Sequence, residues 1–370
     1  MSFADQCDVE EDIQLRSLLK KRILPVLKEI NDETIKSRVK DFWDNSVVPY
    51  FITLDSIDQS IKNGSLDPST VSGDVIHATT TTLEEGDIIE TLLNDPCLIR
   101  KLKDTFRISG AAYGLQSDFV RHALEKPGGY PGDYETLEFI YNNRPTSKGF
   151  GYCADETFLA NDYAKAVRNR KDKMKRILLS YLKSDPKEAE ILNIACGSSR
   201  DLRELFVEND FDLSGHVTFT LIDKSKDALN FSENELSNPP KGIVFRFQNH
   251  SVYDYLKNPD TYRELLGGKD MVYSIGLADY IPAEGFRDLI AFLYSLLKPG
   301  GRLIIAHKDS KNYHPLLPDW WADWSFYLRD IDDVVSLAKN SGIENYELTI
   351  DQEDDTNIIF YMTIEKKHLS

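Results

Sequence analysis

The 370-residue sequence contains no apolar run that approaches the roughly 20 residues a membrane span requires. It has only four cysteines, Cys7, Cys97, Cys153 and Cys196, and their positions form no CxxC or other metal-binding spacing. These absences argue against a membrane-spanning protein, a disulfide framework and structural zinc. We therefore expect reduced thiols and no metal site.

The sequence also has fewer basic than acidic residues, with 44 Lys and Arg against 61 Asp and Glu, and its formal net charge is −17. This charge would repel phosphate backbones, so nucleic acid is a poor candidate substrate. One exception, residues 165–176, is rich in Lys and Arg, and we expect it to be the solvated face of a helix. The chain starts acidic and polar, unlike a secretory signal, which predicts a cytoplasmic location.

The front of the chain has a helical pattern. Residues 11–63 place Leu, Ile and Val at helical spacing, and no strand pattern interrupts them. The polar stretch Asn63–Thr82, with Gly64, Pro68 and a run of threonines, predicts a loop before a second helical segment over Leu83–Leu102. The sequence therefore predicts an all-helical domain over residues 1–154, which would act as a cap or substrate domain.

The rear of the chain, residues 155–370, has an α/β pattern. After a long amphipathic helix predicted over Phe158–Leu182, short apolar strands alternate with helical stretches. The predicted strands are Ile191–Ala195, Val217–Ile222, Ile243–Phe247, Met271–Ile275 and Arg302–Ala306. This alternation predicts a doubly wound parallel sheet. Two more strands, Asn345–Ile350 and Asn357–Ile364, are too close for a crossover helix, so they predict a terminal antiparallel hairpin.

A turn of small residues follows the first strand and reads Leu192-Asn-Ile-Ala-Cys-Gly-Ser-Ser-Arg-Asp201. Small side chains let a ligand approach the backbone, and the following helix N-terminus favours negative charge. An ordinary strand-to-helix turn is the alternative. Asp223 ends the second strand, where a carboxylate can accept both hydroxyls of a ribose. Both NAD and S-adenosylmethionine (SAM) carry such a ribose, so these signals alone do not distinguish them.

A further motif, Leu296-Leu-Lys-Pro-Gly-Gly-Arg-Leu-Ile-Ile305, precedes the fifth strand. Together with the acidic end of strand two and the hairpin, it resembles the class I SAM-dependent methyltransferases. Three stretches resemble a narrower bacterial group, the 3-hydroxy fatty acid methyl ester synthases: Gly128-Gly-Tyr-Pro-Gly-Asp-Tyr-Glu135, Ala166-Val-Arg-Asn-Arg170 and Tyr273-Ser-Ile-Gly-Leu-Ala-Asp-Tyr280. The resemblance implies a seven-stranded class I sheet, SAM as methyl donor and S-adenosylhomocysteine (SAH) as product.

The resemblance also implies roles for individual residues in cofactor binding. Ala195 and Gly197 would face the methionine part of SAM, Asp223 the ribose, Asn249, Ser251 and Val252 the adenine, and Ser274, Ile275 and Gly276 the region of the reactive methyl. Arg168 could pair with the cofactor's carboxylate, although a solvated basic face accounts for it equally well. Asn193 stands where many class I enzymes carry an acid for the SAM ammonium, and its amide lacks that charge.

The acceptor implied by the resemblance is a small molecule, and our best prediction is the carboxylate, or a hydroxyl, of a fatty-acid-like or other apolar acid. A carboxylate is ionised at neutral pH and needs no general base, whereas a hydroxyl or amine needs one. The candidate catalytic residues are Tyr280, His307 and Tyr134. His307 could instead hold a loop together. The turn containing Tyr134 could be a plain connector, or could lie near the active site under the helical cap.

The aromatic segment Pro318–Arg329 carries three of the four tryptophans and indicates either protein core or an apolar pocket. Three other functions stay open: a methyltransferase acting on a protein or RNA, an NAD-linked oxidoreductase, and a non-catalytic SAM-binding regulator. The acidic charge argues against RNA, and the terminal hairpin argues against NAD. Asn193 is compatible with the regulator. The sequence predicts no particular oligomeric state.

Overall fold

The computed structural model describes the backbone of residues 3–368 and the side chains from residue 12 onward. The chain folds into two compact units. Unit 1 contains residues up to Gly132, Asn142–Asn161 and Pro315–Ser325, and unit 2 contains Asp133–Tyr141, Asp162–His314 and the chain from Phe326 onward. The predicted boundary after residue 154 falls inside a segment of unit 1, and the chain passes between the units more than once.

The helices of the described chain are α1 Phe3–Arg22, α2 Leu24–Glu29, α3 Glu33–Phe42, α4 Val48–Lys62, α5 Pro68–Leu93, α6 Pro96–Gly114, α7 Asp118–Glu125, α8 Tyr134–Asn142, α9 Phe150–Ala160, α10 Asp162–Lys183, α11 Arg200–Glu208, α12 Lys226–Glu235, α13 Val252–Lys257, α14 Pro259–Leu266, α15 Ala283–Ser295, α16 Leu316–Ala322 and α17 Ile331–Lys339. A π-helical turn, Trp43–Val47, joins α3 to α4, and Ala278–Tyr280 forms a 3₁₀ turn. None of the described helices combines the length and the apolar character of a membrane span.

The loop predicted over Asn63–Thr82 is wrong, because most of it belongs to α5. The Asp67 carboxylate caps the start of this helix, and Pro68 occupies the first helical position, where its missing N–H costs nothing. Thr79 is buried and donates its hydroxyl proton to the carbonyl four residues earlier, at 2.7 Å. The threonines are therefore compatible with a helix because tertiary burial and this local hydrogen bond offset their weak helix propensity.

Two predicted helices are interrupted. The segment predicted over Leu83–Leu102 breaks at Asn94, whose φ of 45° lies in the left-handed region, and restarts at Pro96. The helix predicted over Phe158–Leu182 breaks at Asn161, which is extended. In each case the helical spacing of apolar residues continues on both sides of the break, so the hydrophobic pattern alone did not reveal where the helix is interrupted.

The core of unit 1 is built around two tryptophans of α16. Trp320 and Trp321 are buried, and glycines make room for their rings. A Cβ at Gly110 would lie 2.5 Å from the Trp321 ring, and a Cβ at Gly86 would lie 2.8 Å from the Trp320 ring. The tryptophan segment is therefore core packing in unit 1, which is one of the two alternatives for it.

Unit 2 contains a seven-stranded sheet with strands β1 Glu188–Ile194, β2 Asp212–Asp223, β3 Lys241–Asn249, β4 Lys269–Ser274, β5 Leu297–Lys308, β6 Tyr346–Gln352 and β7 Ile359–Lys366. The spatial order is β3-β2-β1-β4-β5-β7-β6. Strands β1 to β5 run parallel, and β7 is antiparallel to both β5 and β6. The predicted doubly wound sheet and its terminal hairpin are confirmed. Successive connections diverge beside β1 and β4, which opens a crevice at the carboxyl edge of the sheet.

The basic stretch on α10 is not a solvated face throughout, so that prediction is wrong. Arg170, Lys171 and Lys173 are buried. Lys171 pairs with Glu204 of α11, and Lys173 pairs with Asp351 of β6. Carboxylates of unit 2 thus neutralise lysines that we expected to find in solvent, and Arg170 has a different environment, described below.

Candidate ligand-binding site at the carboxyl edge of the sheet

The turn after β1 holds an unusual backbone conformation. Ala195, Gly197 and Ser199 have φ values of 56°, 53° and 50°, in the left-handed region that non-glycine residues rarely adopt. A Cβ at Gly197 would have Tyr134 as its nearest neighbour, at 3.9 Å. Strained backbone of this kind concentrates at ligand sites, and the space beside Gly197 permits close approach of a ligand.

Asp223 lies at the end of β2, beside this turn. Its two carboxylate oxygens accept hydrogen bonds from the backbone N–H groups of Gly197, at 2.9 Å, and Ser225, at 2.8 Å. The side chain is buried, and burial raises the pKa of Asp223 above its ordinary value despite these hydrogen bonds. The structure therefore brings together two residues, Gly197 and Asp223, that the sequence predicted for the same ligand.

The residues predicted to flank an adenine follow β3. The Asn249 amide donates a hydrogen bond to the Asp223 carbonyl, at 2.9 Å, and so fixes the ends of β2 and β3 to each other. Ser251 caps α13 in a reciprocal arrangement with Asp254, and Val252 begins that helix half-buried. Asn249 thus lies next to Asp223 in the fold, and Ser251 and Val252 follow it within three residues of the chain.

The residues after β4 form the opposite side of the crevice. The Ser274 hydroxyl donates a hydrogen bond to the Ile194 carbonyl, at 2.8 Å, which joins the carboxyl ends of β4 and β1. Ile275 and Gly276 follow directly. A Cβ at Gly276 would lie 3.6 Å from the guanidinium of Arg170. This is an ordinary van der Waals distance, and it places the Arg170 guanidinium beside the end of β4.

Arg170 was missed by the sequence reasoning, which chose Arg168 on the same helix. Arg170 is 3% exposed, and its Nε has no hydrogen-bond partner. Among the residues that the structure describes, no carboxylate forms an ion pair with it. Arg168 is only partly buried and donates to the Ile140 carbonyl, at 3.4 Å. Arg170 is therefore the buried cation of α10 that faces the crevice.

The sequence contained a signal for Arg170. It continues an apolar stripe at spacings of three and four residues, formed by Tyr163, Val167, Met174 and Leu178, all of them buried. Side chains of residues that are two apart in an α-helix point about 200° away from each other around the helix axis. Arg168 therefore cannot lie in the apolar stripe that contains Arg170. A charged residue within an apolar stripe is expected to be buried, and a buried charge indicates a binding role.

An acid also lies close to Asn193. Asp201, in the first turn of α11, is 4% exposed and accepts a hydrogen bond from the Tyr273 hydroxyl, at 2.9 Å. Tyr273 is the register partner of Asn193 on the neighbouring strand. Burial raises the pKa of Asp201, and the Tyr273 hydrogen bond opposes that rise. A carboxylate is thus bonded to the strand neighbour of Asn193, and it is supplied by the helix that follows the turn.

Helix α8 packs against the same turn. The Glu138 carboxylate accepts hydrogen bonds from the Ser198 hydroxyl, at 2.6 Å, and from Arg200, at 2.7 Å. The ring of Tyr134, at the start of α8, is tilted against the Phe231 ring, and the two ring centres are 5.5 Å apart. Burial, followed by the neighbouring Glu135, raises the pKa of Tyr134 to about 12. Tyr134 thus lies beside Gly197 as a neutral phenol.

His307, near the end of β5, is 1% exposed. Its Nδ1–H donates to the Lys308 carbonyl, at 2.7 Å, and its Nε2 accepts from Arg329, at 3.1 Å. Burial lowers the pKa of His307. Both ring nitrogens of His307 are therefore hydrogen-bonded to neighbouring residues. Tyr280 lies in the turn after β4, 5.7 Å from the Phe326 ring.

Within the described residues, no group of three or more His, Cys, Asp and Glu side chains is arranged to hold a metal ion. Arg170, the Asp201 and Asp223 carboxylates and the backbone amides beside Asp223 form one set of polar groups at the carboxyl edge. This set matches an organic zwitterion with a ribose better than it matches a metal ion.

Comparison with known proteins supports the fold. No protein-family model matches the sequence, and no curated protein sequence is detectably similar to it. A possible exported protein from Bordetella parapertussis is similar in structure, with a TM-score of 0.53 and 15% identity over 83% of this chain and 99% of the other. At this identity the likeness concerns the fold alone.

Two methyltransferases of known structure have a lower structural similarity to this chain. Magnesium protoporphyrin IX methyltransferase from Synechocystis PCC 6803, crystallised with SAM, has a TM-score of 0.38 and 13% identity over 55% of this chain and 83% of its own. The N-methyltransferase NodS from Bradyrhizobium japonicum WM9 has a TM-score of 0.37 and 13% identity over 54% and 97%. The strand order and the antiparallel last strand of unit 2 define the class I methyltransferase fold.

Proposed function

We propose that this protein is a SAM-dependent methyltransferase whose acceptor is a small apolar carboxylic acid. One observation carries the proposal. On a class I methyltransferase fold, the carboxyl edge of the sheet buries Arg170 without a carboxylate partner, close to Gly276 and within the same edge as Asp201 and Asp223. A buried arginine without an anion is costly, and a ligand carboxylate removes that cost.

The residues of the site fit SAM at each end of the molecule. Arg170 would bind the carboxylate of its methionine part, in place of Arg168, since a guanidinium binds a carboxylate through paired hydrogen bonds. Asp201 would supply the negative charge for the ammonium that Asn193 lacks. Asp223 would accept hydrogen bonds from the ribose hydroxyls, and these would replace the hydrogen bond that it accepts from the Gly197 N–H. Asn249, Ser251 and Val252 would border the adenine.

SAM supplies a methyl group on a sulfonium, which passes to an acceptor oxygen while the electron pair of the broken bond stays on sulfur. The protein's part is to hold the acceptor in line with that bond and to exclude water. Ala195 and Gly197 leave room at the methionine part, and Ser274, Ile275 and Gly276 border the transfer region. Tyr280 and Tyr134 would contact or orient the acceptor through their hydroxyls.

The environment of His307 favours a carboxylate acceptor over a hydroxyl or an amine. Both of its ring nitrogens are bonded, and Tyr134 holds its proton far above neutral pH. Neither group is suited to remove a proton at neutral pH, whereas a carboxylate acceptor has none to remove. A fatty-acid-like acid agrees with the resemblance of three sequence stretches to methyl ester synthases. A non-catalytic SAM-binding protein is the second candidate, favoured by Asn193.

The test is methyl transfer from deuteromethyl-SAM. The protein is incubated with a small-molecule extract, with total protein and with total RNA, and each product is analysed by mass spectrometry. We expect labelled methyl esters in the small-molecule fraction, and none with an Asp223→Asn variant. Label in protein or RNA would contradict the acceptor class. Bound SAM with no label in any fraction would favour the non-catalytic alternative.

A further inference from the structure

Lys308 is a buried cation at the carboxyl edge for which the proposed cofactor has no use. It ends β5, its side chain is 3% exposed, and its Nζ lies 2.6 Å from the Asp279 carboxylate. Among the described residues this carboxylate is the only hydrogen-bond acceptor of the ammonium. An ammonium has three N–H donors, so two of them have no oxygen acceptor in the part of the chain that the structure describes.

Aromatic rings surround the rest of the ammonium. Its Nζ lies 3.6 Å from the centre of the Phe326 ring, 5.0 Å from that of Tyr163 and 5.9 Å from that of Tyr280. Cation–π attraction offsets part of the cost of burial, but a ring face does not replace an anionic acceptor. Rings and ammonium together suit a ligand with an anionic head and an apolar body. Phe326 covers the ammonium, so its ring has to turn aside when such a ligand enters.

Asp279 fixes the direction of this lysine. One carboxylate oxygen accepts from the backbone N–H of Lys308, at 3.1 Å, and the other accepts from its Nζ. Although burial acts in the opposite sense, Lys308 lowers the pKa of Asp279, so the carboxylate stays ionised. An aspartate that holds both the main chain and the side chain of one residue leaves the ammonium little freedom. The charge is therefore prepositioned at the edge where ligands of α/β sheets bind.

We propose that Lys308 binds the carboxylate of the methyl acceptor and so determines which acceptors are used. This inference rests on the proposed methyltransferase function. The ammonium donates to one acceptor oxygen and leaves the other free to receive the methyl group. Asp279 is a positioning residue that acts through Lys308, and the rings of Tyr163, Tyr280 and Phe326 contact the apolar body. Lys308 itself forms and breaks no covalent bond.

The test compares acids with their uncharged amides on the SAH-loaded protein. Decanoate, decanamide, phenylacetate and phenylacetamide are titrated by calorimetry. We expect at least one acid to bind about tenfold or more tightly than its amide, because the charge-assisted hydrogen bond is lost in the amide. Lys308→Met should remove this preference by weakening acid binding while the amide affinity stays the same. A general loss of packing would weaken both.

The matched control is Lys269→Met, which removes a buried lysine paired with Glu190 at the amino end of β4. It should leave the preference for the acid unchanged. Equal binding of acids and amides to the wild-type protein, or no binding of either acid, would overturn the role of Lys308. This outcome is measured on the wild-type protein alone, so it does not depend on whether a variant folds. SAH affinity is measured first on each protein. If SAH does not bind to the wild-type protein, the result contradicts the proposed function and is thereby distinguished from a failure of the Lys308 proposal.

Discussion

Buried charges have different partners in unit 1 and at the carboxyl edge of unit 2. In unit 1, Lys103 is nearly buried, and its ammonium reaches two carboxylates, Glu90 and Asp319, each at 2.6 Å. Asp155, fully buried, accepts hydrogen bonds from the Ser117 hydroxyl and from two backbone N–H groups. In unit 2, Arg170 is buried to a similar degree but pairs with no carboxylate of the described chain.

This difference separates structural from functional polar groups. A buried charge with all its partners in the protein stabilises one arrangement of the chain, and breaking it destabilises the fold. A buried charge without a partner destabilises the unliganded protein, and a ligand of opposite charge compensates for this cost. Such a charge therefore indicates a binding role. The comparison therefore predicts that variants of unit 1 change stability, whereas variants at the carboxyl edge of unit 2 change affinity.

The largest expected effect is in unit 1. Lys103→Met leaves Glu90 and Asp319 without their shared cation, and we expect the free energy of unfolding to fall by about 3 kcal/mol. Urea unfolding measures this, with the exposed Lys28→Met as control. SAH affinity should stay within about twofold of wild type, because the change is confined to a structural group. A large loss of SAH affinity at temperatures where the variant is folded would break the comparison.

Asp223→Asn should cost about 100-fold in SAH affinity, because a charged acceptor of two ribose hydroxyls becomes a neutral one. Calorimetry with SAH measures the loss. Asp212→Asn is the matched control, since Asp212 begins the same strand, is exposed and pairs only with Lys241 on the surface. Equal affinities of the two variants would show that the end of β2 does not hold the ribose.

Arg170→Met should weaken SAH binding by about tenfold to 30-fold, the contribution of a charge-assisted hydrogen-bond pair. Its free energy of unfolding without ligand should equal or exceed that of wild type, because an unpaired buried charge is replaced by an apolar side chain. Arg176→Met removes an exposed arginine of the same helix and should change neither quantity. A strong loss of stability with unchanged SAH affinity would make Arg170 a structural group.

The smallest effect concerns pH. Burial, partly offset by Asp279, lowers the pKa of Lys308 from 10.5 to about 8. Between these values the unfolded chain binds more protons than the folded protein, so the contribution of Lys308 to stability rises with pH in this window. Relative to Lys308→Met, the wild type should gain stability from pH 8 to pH 10 in urea unfolding. A difference that stays constant or falls over this range would contradict the assigned burial.

The sequence predicted the sheet better than the helices. The parallel strands contain short, largely apolar runs with turn residues around them, and the spacing of the last two strands permits only a hairpin. The first half of α5 was missed because polar threonines outside a core weaken helices, and the burial of Thr79 and Thr82 in unit 1 is a tertiary property. The repeated passage of the chain between units could not be predicted from local patterns, because it depends on contacts distant in sequence.

The candidate site was predicted in part. Backbone conformation and strand ends follow from local sequence, so the structure brings Gly197, Asp223 and Asn249 together as expected. Arg170 was missed because the basic residues around it obscured its place in an apolar stripe. Lys308 was missed because a lysine at the end of a strand usually reaches solvent, and only the packing of Phe326 and Tyr163 around it reveals its burial.

The central claim, that the carboxyl edge of unit 2 binds SAM, is tested most directly by one calorimetric measurement on the wild-type protein. SAM, SAH and NAD are titrated separately under the same conditions. We predict that SAM and SAH each bind at one site per chain and that NAD does not bind. Binding of NAD without binding of SAM or SAH would contradict the claim.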